Sequence, residues 1–426
     1  MFSRFKICSL LMPLVLAASA HSQTASPSPS CEKISLGTNG SLNGFVPSPD
    51  DAWHTDISKA EVDPNSNTFM VTNESDLAGY HLHPDFGSNF GIPYNVVDTS
   101  IDTAKYPQEP VPMLQYASDS DLTYYPVRAG LQVEDNPANC SAIGGDQHLI
   151  IIDRHSCTNY EMYQAQTCNG AWTAGNGLLF DLTDTEHRPY GLTSADASGL
   201  SVFEGLIRYD EILDGAIKHA IRFTTNWTQN NNSGGSFVAP ATHAAGTLWG
   251  TDDVLGMRIR LKADFDISSY SETNKIILRA MKKYGLMLTD NGSKLFFQGT
   301  ADPRWNDNDL VNLENVTSSD FEVIKLPTVY DSSSAPAGDL PVISNLTASP
   351  ETVAAGGSVT ITANVSGETY NYLSEPGVAT GAIFRGSLTV MPEKTTVYTL
   401  TSRNIYGTTQ ATVTVTVPGS KTTAKK

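Results

Sequence analysis

Several side chains capable of proton transfer lie close together in residues 204–223, "EGLIRYDEILDGAIKHAIRF". A tyrosine or histidine could remove the C5 proton of a uronate residue, whereas glycoside hydrolysis needs two carboxyl groups, one kept protonated. The candidate catalytic residues are Tyr209, Asp210, His219 and His243. A hydrolytic carboxyl pair could be drawn from Glu161, Asp181, Asp196, Asp210 and Glu211, and the sequence does not choose among them.

Local periodicity offers a structural explanation for the same residues. Residues 208–213 suit a helical turn with Leu213 inward and Glu211 outward, followed after Gly215 by a strand. Alternation along that strand places His219 with the apolar side chains and Arg222 on the opposite face. A buried, structural histidine is therefore the alternative to a catalytic one.

Arginines alternate with apolar residues in "MRIRLKADF", residues 257–265. Together with Arg222, Arg258 and Arg260 could form a basic strip that binds carboxylates or sulfates of an acidic glycan. Trp249 is the candidate for stacking on a sugar ring, as are Trp227 and Trp305. The alternative is a solvated sheet face whose arginines pair with the abundant Asp and Glu.

Two stretches could bind a metal ion. His81, His83 and Asp85 in "YHLHPDFG" fall on one face of an extended segment, which suits zinc, although Pro84 would disrupt a regular strand. The acidic stretch 302–310, "DPRWNDNDL", could bind calcium but lacks the spacing of a calcium loop. Hydrogen-bonded turns explain both stretches, so no cofactor is required.

The elements that carry these residues are mostly strands. "HLIIIDR" and "GLLFDL" are typical of buried strands, while 271–285 predicts a helix capped by Ser271 and ended by Gly285. No glycine-rich phosphate loop or GxSxG elbow is present in the sequence. The expected fold is mainly β, with a β-sandwich or jelly-roll-like large domain that contains a few helices.

Composition divides the chain into two domains. A large β-rich domain is expected over 31–329, and "YDSSSAPAGDLP", residues 330–341, predicts a linker. Residues 342–418 alternate Thr, Val and Ser in short runs, which is typical of a small antiparallel β-sandwich. A basic tail follows at 419–426.

The N-terminus predicts export. Residues 1–20 combine basic residues, an apolar run and a small-residue end, as in a secretory signal peptide, and 21–30 form a polar, flexible leader. Of five cysteines, Cys8 lies in the signal. Because an oxidising compartment favours disulfides, we expect Cys157–Cys168 and Cys31–Cys140, with free buried thiols as the alternative.

Charge and hydropathy exclude some partners. The net charge of −18 opposes binding to nucleic acid and to anionic membranes. No segment approaches the length of an apolar membrane span, so membrane insertion is not expected. Localisation outside the cytoplasm, extracellular or periplasmic, is therefore expected.

The chain resembles a family of secreted bacterial proteins without an agreed activity. The resemblance covers about 53–323 and is carried by these strings: "LHPDFG", "GIPYNVV", "TSADASGL", "GLIRYDEI", "HAIRF", "MRIRLKADFDIS", "KKYGLMLTDNG" and "DPRW". It departs at "APATHAAG", where relatives tend to carry an arginine and this chain has Thr242 before His243.

The 342–418 segment resembles bacterial immunoglobulin-like modules, which implies a spacer or adhesion role.

These observations lead to a ranked set of hypotheses. The first is a secreted protein that acts on or binds extracellular polysaccharide, an anionic one if the arginines are exposed, by lyase or hydrolase chemistry. The second is a non-catalytic cell-surface or adhesion protein, and the third is a metal-dependent hydrolase. The sequence leaves the oligomeric state open.

Overall fold

The computed structural model describes most of the chain. The ranges are 31–72, 76–101, 109–121, 124–135, 145–184, 188–230, 234–249, 252–331, 333–368, 370–374 and 382–419. The predicted signal peptide, the leader, Cys140 and most of the basic tail lie outside these ranges.

Within the described ranges, short helices connect many strands. The helices are α1 (Ser66–Val71), α2 (Val202–Gly205), α3 (Tyr209–Leu213), α4 (Glu272–Lys283) and α5 (Asp307–Leu310). The first strands are β1 (Gly37–Thr38), β2 (His83–Asp85), β3 (Tyr94–Val97), β4 (Glu109–Pro110), β5 (Tyr124–Tyr125), β6 (Leu149–Asp153), β7 (Thr158–Tyr163), β8 (Gln166–Cys168), β9 (Ala171–Thr173) and β10 (Asn176–Asp181). The next are β11 (Ile221–Thr225), β12 (Gln229–Asn230), β13 (Ser236–Val238), β14 (Leu248–Trp249), β15 (Arg258–Leu261), β16 (Leu286–Asn291), β17 (Phe296–Gln298), β18 (Phe321–Val323) and β19 (Val329–Asp331). The last are β20 (Val342–Ser349), β21 (Val359–Ser366), β22 (Tyr370–Ser374), β23 (Ala382–Ile383), β24 (Ser387–Val390), β25 (Thr396–Asn404) and β26 (Gly407–Val415). The mainly β class expected from the sequence is confirmed.

A five-stranded sheet of order β1-β3-β6-β7-β10 is covered on both faces. In β6, Leu149 and Ile151 enter one apolar cluster while Ile150 and Ile152 enter another. Successive strand residues point to opposite faces, so a strand that enters apolar clusters on both faces is apolar at successive positions. This explains the continuous "LIII" run of the sequence.

A six-stranded sheet of order β18-β15-β16-β11-β17-β2 forms the second layer. The parallel pairing of β11 with β16 brings the carboxyl ends of both strands to one edge of the sheet. Helix α4 packs on this sheet through the buried residues Ile277, Leu278 and Met281. The edge where β11 and β16 end is therefore a rigid place for side chains.

Helix α4 begins and ends where the sequence predicts. Ser271 Oγ accepts a hydrogen bond from Asn274 N at 3.1 Å, and Gly285 adopts φ +75° just beyond the helix. A side chain at Gly285 would also collide with the Ile259 carbonyl. Helix α3 forms where the sequence predicts a helical turn, but Leu213 is 66% exposed, so the expectation that it points inward is wrong.

The C-terminal strands form a three-stranded sheet, β20-β21-β24, and a four-stranded sheet, β23-β22-β25-β26. Side chains from both sheets meet in one apolar cluster, as the alternation in 342–418 predicts. The immunoglobulin-like assignment stays a prediction. The preceding strand β19 pairs with β13, so the first residues of the predicted linker belong to a two-stranded sheet.

This C-terminal domain packs closely against the large domain. Tyr370 and Tyr372 of β22 are part of the apolar cluster that covers the outer face of the five-stranded sheet. The Tyr372 hydroxyl donates to the Asp121 carbonyl at 2.8 Å. Removing the domain would expose this cluster to water.

A buried ion network joins the two domains. Asp121 binds Arg188 at 2.7 Å and Arg403 of β25 at 2.6 Å, and all three side chains are at most 7% exposed. Burial alone would raise the pKa of Asp121, but the two guanidiniums outweigh it and hold this pKa below its usual value. Buried charges are tolerated only when paired in this way.

The disulfide pattern differs from the expected one. Cys31 is bonded to Cys157, with a Cα–Cα distance of 5.5 Å, so both expected pairings are wrong. Cys168 is also disulfide-bonded.

In the chain as described, no helix has the length and apolar character needed to cross a membrane.

We predict that Asp121→Asn destabilises the protein by about 3–5 kcal/mol, because two buried arginines lose their carboxylate. Chemical denaturation measures the loss. Asp50→Asn, a change at an exposed carboxylate, is the matched control. In the wild type, this contribution is present above about pH 4 and is lost as the pH falls through the depressed pKa of Asp121. Equal unfolding free energies for the two variants would contradict the prediction.

Candidate functional site

The loop 193–200, "TSADASGL", connects the two sheets of the large domain. Ser198 N donates to the Thr289 carbonyl at 2.9 Å, and the Ser198 carbonyl accepts from Thr242 N and His243 N. Gly199 has φ +81°, and a side chain there would collide with Thr242 Oγ1. The loop therefore fixes the positions of the residues next to Asp290 and of His243.

Asp196 of this loop forms a buried ion pair with Arg222 of β11. Arg222 Nε lies 2.9 Å from Asp196 Oδ2, and a second guanidinium nitrogen donates to Asp196 Oδ1. The two side chains are 0% and 3% exposed. Burial alone would lower the pKa of Arg222, but Asp196 raises it above the usual value, so the guanidinium stays charged.

Asp290 lies near the carboxyl end of β16 and faces this ion pair. Burial raises the pKa of Asp290 well above its usual range, the charges of Asp196 and Asp146 add to the rise, and Arg222 opposes it. Among the described residues, the only hydrogen bond to its carboxyl group comes from Asn291 N, at 2.7 Å. A carboxyl group in such surroundings can serve as a general acid.

His243 lines the same cavity as a neutral imidazole. Its Nδ1 lies 2.6 Å from the Ala197 carbonyl, so Nδ1 carries the proton and Nε2 has a free lone pair. Burial lowers the pKa of His243 because it disfavours the imidazolium form. Within the described ranges Nε2 has no hydrogen-bond partner, so it can accept one from a ligand.

Together these residues form a cavity of about 310 Å³ that we call the acidic cleft. Its remaining walls include Tyr116, Tyr163, Asn176 and the exposed carboxylate of Asp146. The tyrosine rings lie 6.4 Å apart, centroid to centroid. The volume falls within the range of small-ligand pockets. No Lys or Arg side chain is among the described residues that line it.

The arginines do not form an exposed strip. Arg222 and Arg258 both face Met287 across the sheet, so the prediction that they share a face is confirmed. That face is covered by residues 52–60, whose carbonyls accept hydrogen bonds from Arg258 and Arg260. Arg260 also binds Glu322 on the neighbouring strand, with its Nε 2.8 Å from the carboxylate.

Burial under this segment also shifts the pKa of the Arg258 guanidinium. Burial lowers its pKa to about 10, and nearby Asp51 opposes the shift. The arginines therefore hold the 52–60 segment on the sheet and are unavailable to an anionic ligand.

Asp210 and His219 line a second cavity, of about 230 Å³, and do not meet His243 in the acidic cleft. Asp210 accepts a hydrogen bond from Arg304 at 2.9 Å, and Arg304 lies 4.5 Å above the Tyr209 ring. Tyr209 also packs edge-on against Trp305, which is 4% exposed. Trp305 is thus a core residue that cannot stack on a sugar.

His219 is buried, as the strand alternation predicts, and is 2% exposed. Its Nδ1 lies 2.7 Å from the Ala220 carbonyl, while Nε2 lies 3.0 Å from Glu211 and 3.3 Å from Arg208. Burial alone would raise the pKa of Glu211, but Arg208 and then His219 lower it to about 2. Glu211 therefore points toward His219, and the expectation that it faces outward is wrong.

The residues of the suggested metal sites have other contacts. The ring of His83 stacks on Phe296 at 4.0 Å, and its Nδ1 lies 3.0 Å from a Glu314 carboxylate oxygen. His81 Nδ1 contacts the Glu314 carbonyl, and Asp85 is at hydrogen-bonding range of Gln298. Pro84 lies within β2, an edge strand that tolerates proline. Across the described residues, no group of three or more His, Cys, Asp or Glu side chains is arranged to hold a metal ion.

The sequence identified part of the acidic cleft. His243 and Asp196 were among its candidates, but Asp290 and Asp146 were not. Asp290 lies in "KKYGLMLTDNG" and Asp196 in "TSADASGL", two of the strings that carry the family resemblance. A search for carboxylates in those strings would have added Asp290, but not Asp146, which lies in none of them. Trp249 lies on β14, and its side chain is outside the described part of the chain.

Comparison with known proteins does not assign the chain to a family: no family model, curated protein or solved structure matches it. The resemblance to secreted bacterial proteins therefore stays a prediction, and the site must be interpreted from its own geometry.

We predict that Asp290→Asn removes a pH-dependent loss of stability. Because the folded-state pKa of Asp290 is raised, its contribution is fully present below about pH 4 and is lost as the pH rises through that raised pKa. The variant should therefore gain thermal stability relative to the wild type as the pH rises. Melting temperatures across a pH series test this, with the exposed Asp214→Asn as control. Parallel curves for wild type and Asp290→Asn would refute the raised pKa.

Proposed function

We propose that the protein is a secreted glycoside hydrolase that cleaves an uncharged polysaccharide in the acidic cleft. The observation that carries the proposal is the placement of Asp290 beside the ionised Asp196–Arg222 pair, in a cavity walled by tyrosines. That environment holds one carboxyl group protonated while others nearby remain charged. Glycoside hydrolysis requires this combination.

In this proposal Asp290 is the general acid. It donates its proton to the glycosidic oxygen as the bond to the leaving sugar breaks. Asp146, which is exposed and lines the same cavity, takes a proton from the attacking water. The water oxygen bonds to the anomeric carbon, and the proton held by Asp146 balances the one that Asp290 gave up.

The other cleft residues bind and position. Asp196 is fully buried against Arg222 and acts on Asp290 through its charge. His243 Nε2 can accept a hydrogen bond from a sugar hydroxyl, since Nδ1 is already committed to the Ala197 carbonyl. Tyr116 and Tyr163 offer rings on which a pyranose can stack, as amphipathic aromatic side chains do.

The charge of the cleft selects the substrate class. Its described lining contains Asp119, Asp146, Asp196 and Asp290 and no basic side chain other than neutral His243. A uronate chain would be repelled by Asp119 and Asp146, which have no arginine or lysine beside them in this described lining. A β-elimination also needs a group that neutralises the uronate, and the three arginines are already engaged: Arg222 binds Asp196, Arg260 binds Glu322, and Arg258 donates to backbone carbonyls. Hydrolysis of an uncharged chain therefore fits better than lyase action on an anionic one.

Secretion is part of the proposal. The signal-like N-terminus supports it, and so does the Cys31–Cys157 disulfide, since such bonds persist in oxidising compartments. An enzyme outside the cytoplasm would meet polymeric glycans.

We predict that the wild type releases reducing ends from a soluble neutral polysaccharide and that Asp290→Asn lowers kcat by about 10²–10⁴-fold. The panel contains galactomannan, arabinoxylan and hydroxyethyl cellulose, with chitosan and polygalacturonate as charged comparisons. Asp290→Asn should still bind the substrate, because asparagine resembles the protonated acid in shape.

Asp214→Asn, an exposed change in the second cavity, is the control and should retain full activity. Unsaturated products from polygalacturonate would show a lyase instead. Retained glycan binding without any product, in wild type and variant alike, would favour the non-catalytic adhesion protein.

A further inference from the structure

Two exposed aromatic residues lie on either side of one lysine, near the acidic cleft. Tyr80 and Trp227 are 43% and 41% exposed, whereas the core tryptophans Trp53 and Trp305 are at most 4% exposed. Lys294 Nζ lies 4.4 Å from the Tyr80 ring centroid and 4.7 Å from that of Trp227. A cation at these distances attracts both ring faces. We call Tyr80, Trp227 and Lys294 the aromatic platform.

Asp76 holds this platform in place from below. Its side chain is fully buried, and Oδ1 lies 2.6 Å from Lys294 Nζ. Its Oδ2 accepts hydrogen bonds from the backbone nitrogens of Asn226 and Trp227, at 3.0 and 3.1 Å. Because the rings are already ordered, a ligand that stacks on them loses little affinity to the entropy of immobilising side chains.

The platform is joined to the wall of the cleft through the buried side chain of Thr228. Thr228, next to Trp227, donates through Oγ1 to the Ala245 carbonyl at 2.6 Å and lies 2.7 Å from Asn291 Oδ1. Ala245 and Asn291 both line the acidic cleft. Asn291 also follows Asp290 directly, so Thr228 joins the platform to the wall that carries the proposed general acid.

The chemistry of the platform suits an uncharged sugar. Lys294 and Asp76 neutralise each other, which leaves two amphipathic rings as the exposed feature. Such rings pack against the C–H face of a pyranose while its hydroxyls stay in water.

Resting on the proposed function, we propose that the aromatic platform is a second sugar-binding site, which holds the part of an uncharged polysaccharide that extends beyond the acidic cleft. The protein then prefers long chains to short ones. A disaccharide fills the cleft alone, whereas a hexasaccharide reaches the platform as well.

The test compares binding of short and long oligomers. Disaccharides and hexasaccharides of galactomannan, arabinoxylan and cellulose are titrated calorimetrically into Asp290→Asn, which binds without turnover. Introducing Trp227→Ala into the Asp290→Asn variant should weaken hexasaccharide binding about tenfold relative to Asp290→Asn alone, equivalent to ~1.4 kcal/mol. Disaccharide binding should stay unchanged. Trp227→Phe, which keeps a ring over Lys294, should restore most of the loss.

Controls separate the platform from general damage and from the proposed function. Phe90→Ala removes another exposed aromatic, 46% exposed, and should change neither affinity. Circular dichroism and melting temperatures confirm that each variant folds. If Trp227→Ala weakens both oligomers equally, or neither, the platform proposal is wrong while the hydrolase proposal stands. If the wild type neither binds nor cleaves any member of the panel, both proposals fail.

Discussion

The buried ion pair between Asp196 and Arg222 is the interaction on which the site depends. Arg222 belongs to a central strand of the six-stranded sheet, and Asp196 belongs to a loop that follows the five-stranded sheet. Two charges removed from water are stable only if each satisfies the other, so the pair fixes the loop against the sheet. Burial, and after it the charge of Asp196, raises the pKa of Asp290 against the opposing effect of Arg222, which couples the packing of the layers to the chemistry of the cleft.

A second buried network lies on the other side of the cleft. Asp121, held between Arg188 and Arg403, comes two residues after Asp119, which lines the cleft. Arg188 also donates to the Asp119 carbonyl, and Tyr190 N donates to the Ile405 carbonyl of the C-terminal domain. The C-terminal domain therefore supports one wall of the cleft.

Periodicity in the sequence predicts which face of a strand a residue occupies, but not what covers that face. The alternations in "HAIRF" and "MRIRLKADF" correctly placed Arg222 and Arg258 on one side of the sheet. It could not show that residues 52–60 cover that side, because this contact joins segments about 200 residues apart. An exposed cationic strip and a buried set of structural arginines have the same local pattern.

Local pattern alone determined the apolar strands of "HLIIIDR" and "GLLFDL", the alternating strands of "MRIRLKADF" and "SVTITANV", helix α4 with its Ser271 cap and Gly285 end, and the burial of His219. These features follow from side-chain periodicity and backbone preference, which act over a few residues. Only the tertiary structure decided that Cys31 pairs with Cys157 and that Asp146, Asp196, Asp290 and His243 meet in one cleft. Those contacts depend on how two sheets and the loop 193–200 pack, and packing between distant segments leaves no periodic signal in the sequence.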